Sequence, residues 1–267
     1  MFELTCDTYY KVKPLLRDGF PHPEILSIIE GNNPGWIFTD DPDNPQSALV
    51  WSKGMQGFYL IGDHMNPGFI HTLDRQISQV IFPRMREYGL SHFEVSGHHD
   101  KWNMEMIFNS RNLYKFEQMV FKLFRQPPEA SIKQIRTINL RRDPWENSDL
   151  QHVELVKENI RLFWSTHSDF TEKGYGFAAL EGSTVTGVCY SSFVTDHTHA
   201  IGIETVPEFQ NKGIGTHLAA YVVKELLEKG ITPYWDCSLD NEASKRLAIR
   251  LGFEQVHQYK CFGFAID

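Results

Sequence analysis

Six residues carry the first chemical signal. Gln210-Asn211-Lys212-Gly213-Ile214-Gly215 follows the apolar strand pattern AIGIETV and precedes a helical pattern. At such a junction successive backbone N–H groups and the positive end of a helix can hold a phosphate, and glycine lets the backbone approach it closely. A Rossmann fingerprint needs a third glycine where Leu218 stands, and a Walker A loop needs Gly-Lys followed by Ser or Thr, which is absent. The loop is therefore either a phosphate cradle of another kind or a glycine turn without a ligand.

The elements around the loop must hold it rigidly. In THLAAYVVKELLEKG the apolar residues Leu218, Ala219, Val222, Val223, Leu226 and Leu227 recur at helical spacing, and Gly230 reads as the C-terminal stop. The strand PYWDCS comes next, so a strand, the loop, a helix and a second strand form one crossover, which pairs the two strands in parallel. Upstream, GYGFAALEGSTVTGVCYSSFV alternates around Glu181-Gly182-Ser183 and predicts an antiparallel hairpin. The segment from Asp149 to Phe163 reads as a helix, preceded by a short strand near Ile135 to Leu140. An α+β unit thus occupies residues 131–267.

Residues 1–130 have strands and helices of their own, and the Pro-rich RQPPEAS at Arg125 to Ser131 reads as the linker. Setting Gly89 against Gly230, an offset of 141, places SHFEVSG opposite TPYWDCS and NLYKFEQMVFKLF opposite FEQVHQYKCFGFA. Phe69, Thr72 and Asp74 then face Gln210, Gly213 and Gly215, so the first copy lacks the glycines. The match is either an internal repeat or the chance similarity of two α/β segments.

The run ETVPEFQNKGIGTHLAAYVVKELLEKG resembles motif A of the GNAT family of acetyl-CoA-dependent N-acetyltransferases, whose loop Q/R-x-x-G-x-G/A is met by Gln210, Gly213 and Gly215. WDCSLDNEASKRLAIRLGF is similar to the family's next signature, here Asn241, Ser244, Gly252 and Phe253. Trp235-Asp236-Cys237 with Ser244 and Leu247-Ala248 most resembles the zwittermicin A resistance acetyltransferases, and NPGWIFTDDPDNPQSALVW extends that resemblance more weakly into the N-terminal half. The resemblance implies a GNAT fold in the C-terminal half and an N-terminal half that is either a degenerate GNAT-like copy or an accessory domain.

It also implies roles. Pyrophosphate falls to the amides of Gly213, Ile214, Gly215 and Thr216, with Gln210, Asn211, Thr205 and Val206 lining the cofactor site and Lys212 either adding positive charge or remaining a solvated lysine. An alkylammonium is under ~1% neutral at pH 7, so the acceptor needs a base. Glu204, on the strand entering the loop, is either that base or a surface carboxylate. The thioester oxygen gains negative charge on attack, and the resemblance assigns its stabilisation to the Val206 amide. Asn241 is a helix N-cap, a partner of the pantetheine arm, or both, and Ser244 joins it there. Many GNAT proteins carry a Tyr four residues before the Gly of the Gly-Phe pair as general acid, but Ala248 stands at that position; Tyr190 and Tyr259 are substitutes.

Composition narrows the classes further. Of 267 residues 41% are hydrophobic and 22% charged, a globular balance, and 34 acidic residues against 26 basic ones give a net charge of −8, which argues against nucleic acid and anionic membranes as partners. Cys6, Cys189, Cys237 and Cys261 form no CxxC pair, and Cys237 and Cys261 read as packing residues. His197 and His199, or His98-His99-Asp100, lack a recognised ligand set, so no metal is expected. No leader or apolar span is evident, which implies a cytoplasmic protein. The expectation is an enzyme that passes acetyl from acetyl-CoA directly to a primary amine of a small molecule. Alternatives are an acyl-CoA:glycine-like N-acyltransferase and a non-catalytic acyl-CoA-binding protein.

Overall fold

The computed structural model describes residues 1–125, 135–146 and 148–266. The Pro-rich linker segment beyond Arg125 lies outside them. In chain order come β1 (Phe2–Glu3), α1 (Pro23–Ile29), β2 (Gly35–Thr39), β3 (Ser47–Ser52), β4 (Gly57–Gly62), α2 (Pro67–Gln76), α3 (Phe82–Glu87), β5 (His92–Gly97), α4 (Met104–Ile107) and β6 (Tyr114–Leu123). Then follow β7 (Arg136–Asn139), α5 (Val153–Phe163), α6 (His167–Lys173), β8 (Gly176–Glu181), β9 (Thr184–Val194), β10 (Thr198–Thr205), α7 (Ile214–Glu228), β11 (Thr232–Ser238), α8 (Glu242–Arg250) and β12 (Phe253–Ala265).

Two compact units result: Met1–Gln118 together with the chain from Tyr259 onward, and Met119–Gln258. They differ from halves 1–130 and 131–267 because the end of β12 pairs with β5, Cys261 opposite Ser96 and Phe264 opposite Phe93. In order, β1-β2-β3-β4-β5 belong to the first unit and β11-β10-β9-β8-β7 to the second, while the chain passes from one unit to the other within β6, after Gln118, and within β12, after Gln258.

In the second unit the expected hairpin forms between β8 and β9, with Gly182 at φ 61° in its two-residue loop. β10 and β11 are parallel, as the crossover requires. One face of this sheet packs on α7, where Leu218, Ala219, Val222, Val223 and Leu226 are fully buried with Trp235 and Phe253. Each large aliphatic side chain of that stripe contributes roughly 1.5–3 kcal/mol on burial. Gly230 ends α7 at φ 71°, and the Ile231 N–H returns to the Leu226 carbonyl at 2.9 Å. The opposite face packs on α5 through Val156 and Ile160.

The first unit repeats this plan. The offset of 141 carries Gly35–Thr39 onto β8, Gly57–Gly62 onto the start of β10, His92–Gly97 onto β11 and Tyr114–Leu123 onto β12. Faces agree on β4 and β10, where Leu60 and Ile201 both enter the core beneath α2 or α7. On β5 and β11 the core residues are Phe93 and Val95 against Trp235 and Cys237, an offset of 142, so the repeat slips there by one residue and exchanges faces.

Candidate active site

The site is built where two paired strands part. β10 stays paired with β9 to Thr205 opposite Gly187, but pairs with β11 only at Thr198, His199 and Ala200. A bulge sets Ser192 and Phe193 against Ala200 and twists the ladder just where β11 leaves it. Beyond Ala200 no strand among the described residues pairs with that edge of β10.

The open edge can be read residue by residue. The Val206 N–H donates to the Thr186 carbonyl at 3.0 Å. That bond makes Val206, and by alternation Glu204 and Gly202, the residues whose backbone groups face β9, and leaves the amides of Ile203 and Thr205 facing away from it. The expectation that Val206 supplies the oxyanion donor is therefore corrected: its amide is already engaged in the ladder.

The loop follows. Asn211 (φ 61°) and Gly213 (φ 84°) both adopt left-handed backbone, an alternation that gathers N–H groups into an anion-binding concavity. Asparagine tolerates this conformation and glycine suits it best. A Cβ on Gly213 would meet nothing within 4 Å, and on Gly215 only ordinary contacts, Ile203 Cδ1 at 3.4 Å and Leu247 Cδ2 at 3.7 Å. Packing demands glycine at neither position; backbone angle demands it at Gly213, while Gly215 leaves its amide uncovered. α7 starts at Ile214 with no side-chain cap and no acidic residue in its first turn. Its first intrahelical bond among the loop residues runs from His217 N–H to Gly213 C=O at 3.1 Å, so the amides of Ile214, Gly215 and Thr216 are helix-start donors. Gln210 Nε2 donates to the Thr205 carbonyl at 3.2 Å and closes the turn, and Lys212 Nζ lies 4.6 Å from the centre of the Phe209 ring. This donor set fits a diphosphate.

Glu204 occupies the other face of β10. Asn159 of α5 donates from Nδ2 to Glu204 Oε2 at 2.7 Å, and the Tyr190 hydroxyl donates to Asn159 Oδ1 at 2.8 Å. Burial, with Cys189 and Glu204 adding to it, raises the Tyr190 phenol well above its ordinary range and keeps it a donor. Tyr190 lies across Gly202, where a Cβ would fall 2.7 Å from Cζ of the ring. Asn159 was missed in the sequence, although its i+3 relation to Val156 places it on the sheet-facing edge of α5.

Asn241 caps α8 by accepting the Ser244 N–H at 3.0 Å, and Ser244 Oγ accepts the Trp235 indole N–H at 3.0 Å. Both predicted cofactor residues thus have structural partners. Ala248 is fully buried in the core beside Trp235. Burial raises the Cys237 thiol, in keeping with a packing role. Among the described residues no group of three metal-ligating side chains gathers, and no helix is long and apolar enough to cross a membrane.

The profile of the GNAT acetyltransferases matches residues 14–262. The chain is 26% identical over 269 residues to the uncharacterized N-acetyltransferase YdfB of Bacillus subtilis (strain 168), covering 97% of each. It shares its fold with a GCN5-related N-acetyltransferase-like protein of Streptococcus suis (TM-score 0.70, 19% identity, covering 97% of this chain and 98% of that one). A tandem GNAT protein from the clavulanic acid biosynthesis pathway is also similar (TM-score 0.60, 11% identity, covering 99% and 98%).

Proposed function

We propose that this chain, which belongs to the GNAT acetyltransferase family, transfers acetyl from acetyl-CoA to the primary amine of a small molecule by direct attack. The observation that carries the reading is the coincidence of two features at one place: strands that part after Ala200 and a helix start with no side-chain cap. Bound acetyl-CoA supplies an acyl group activated as a thioester.

In this reading the amides from Gly213 to Thr216 hold the pyrophosphate, with Lys212 and Asn211 at the rim. The open backbone groups of Ile203 hydrogen-bond the pantetheine arm, and the Thr205 amide, in place of that of Val206, supports the charge that develops on the acyl oxygen. Glu204 accepts the ammonium proton at its carboxylate, held by Asn159 and Tyr190. With Ala248 where the family's tyrosine stands, the departing thiolate takes its proton from water, a modest demand because a thiol has a pKa of about 8.5. The likeness of Trp235-Asp236-Cys237 and Ser244 to the zwittermicin A resistance group favours a small-molecule acceptor. The buried thiols of Cys189 and Cys237 fit a cytoplasmic setting.

Calorimetric titration with acetyl-CoA, free CoA and a longer acyl-CoA tests the first step, and thiol release with a panel of amines tests the second. Micromolar binding followed by amine-dependent thiol release supports the reading. Binding without release from any amine turns it into acyl-CoA binding without catalysis, and absence of binding by the folded protein removes it.

A further inference from the structure

A pocket of about 120 Å³ lies within the first unit, on the sheet face opposite α2. Strand alternation brings its lining together: Tyr59 pairs with Ser96 across β4 and β5, Cys261 of β12 pairs with Ser96 from the other side, and Glu94 precedes Ser96 by two residues on the same face. Phe116 and Gln118 of β6 and Tyr259 of β12 complete the wall. Among the described residues that line it there is one carboxylate, Glu94, and no Lys, Arg or His. A cavity of comparable size, about 150 Å³, holds benzene in another protein, so this one accepts a group of around six heavy atoms.

The carboxylate is held in place by a dedicated arrangement. The Tyr114 hydroxyl donates to Glu94 Oε1 at 2.8 Å. To reach it, the Tyr114 ring lies over Gly263, the residue of β12 opposite Glu94, where a Cβ would sit 2.4 Å from Cζ of the ring. Burial, with the adjoining carboxylate, raises the Tyr114 phenol and keeps it a donor. One oxygen of Glu94 is thereby fixed at the pocket while aromatic rings, a hydroxyl and a side-chain amide surround the space. Rings attract a cation over their faces, and Ser96 Oγ and Gln118 Oε1 can accept N–H bonds.

We propose that this pocket binds the primary alkylammonium group of a small molecule, paired to Glu94 and enclosed by Tyr59, Phe116 and Tyr259. The proposal is independent of the acetyl-transfer reading, because its residues belong to the unit that lacks the glycine loop. Its test is direct binding to the full chain by ligand-observed NMR, using n-butylammonium and the neutral 1-butanol at pH 7. The ammonium should bind roughly tenfold more tightly than the alcohol. Glu94→Gln should weaken it by a similar factor, while Glu87→Gln, an exposed carboxylate on α3, should leave it unchanged. Gly263→Ala, which displaces the Tyr114 ring, should also weaken it, with a thermal melt confirming that each variant is folded. Equal binding of the two probes, no binding of either, or an ammonium signal that survives Glu94→Gln in a folded protein overturns the proposal.

Discussion

The two units share an order of elements and differ at the point where a cofactor would enter. In the second, β10 and β11 part after Ala200 and α7 opens at a bare Gly213. In the first, β4 pairs with β5 over three residues as well, from Phe58 to Leu60, with the His98 N–H bonding Leu60 C=O at 2.8 Å, so the strands part at nearly the same place and the difference lies at the helix start. α2 starts with Pro67, and Asn66 caps it by accepting the Phe69 N–H at 3.3 Å. The residues opposite the glycine loop are used internally. Phe69 is buried in the core, Thr72 donates to its own helix at Gly68, and Asp74 is held by Arg111 and Ser110. In the proposed reading, cofactor binding therefore turns on uncapped amides at a helix start rather than on the elements themselves, which both units share.

The sharpest way to break that comparison is to close the open site. Gly213→Glu places a negative charge and a disfavoured left-handed backbone at the start of α7, and should remove detectable acetyl-CoA binding. Gly213→Asn, which tolerates the backbone, should retain most of it. Wild-type protein should bind one acetyl-CoA per chain, and Thr72→Glu, the counterpart change in the first unit, should leave the affinity within about twofold, as a substitution on a capped helix without the glycine loop does. Calorimetry on the four proteins decides; two sites per chain would show that the capped helix of the first unit also binds.

Removing the proposed base comes next. Glu204→Gln should lower kcat by about 10²–10⁴ with little change in affinity for acetyl-CoA. Asn159→Ala removes a hydrogen bond to a charged group, worth about 1.5–3 kcal/mol, and should lower kcat by roughly tenfold or more while shifting the pH profile of the rate. An unchanged profile would make Asn159 a merely structural residue.

Much of the second unit was legible because its signals are local. The helical period of α7, the Gly230 stop, the Glu181-Gly182-Ser183 turn and the loop glycines each report on neighbours in sequence. What escaped depends on partners far along the chain. The engagement of the Val206 amide follows from its register with Thr186 on β9, and Asn159 meets Glu204 across 45 residues. The return of β12 to β5 is likewise a pairing of distant strands, and strand periodicity carries no information about which strand lies alongside. The repeat was visible in the spacing of elements, but the slip between β5 and β11 exchanges faces without altering that spacing.

The smallest effect concerns protons buried on each side of the comparison. His98 in the first unit and His199 in the second are both buried, and burial lowers each to about 4. His199 Nδ1 lies 3.0 Å from Ser191 Oγ. A histidine whose folded pKa lies below the unfolded value of about 6.5 binds its proton more readily when unfolded. Stability is therefore fully present above pH 6.5 and is lost as the pH falls toward 4, by a few kcal/mol for each group at most. Urea unfolding at pH 7 and pH 4.5 should show this loss, and His199→Gln and His98→Leu should each flatten it. Because the two groups lie in different units, a double variant should combine the two effects almost additively. A slope that persists in the double variant would assign the acid sensitivity to carboxylates instead, and the two histidines would then have no part in distinguishing the units.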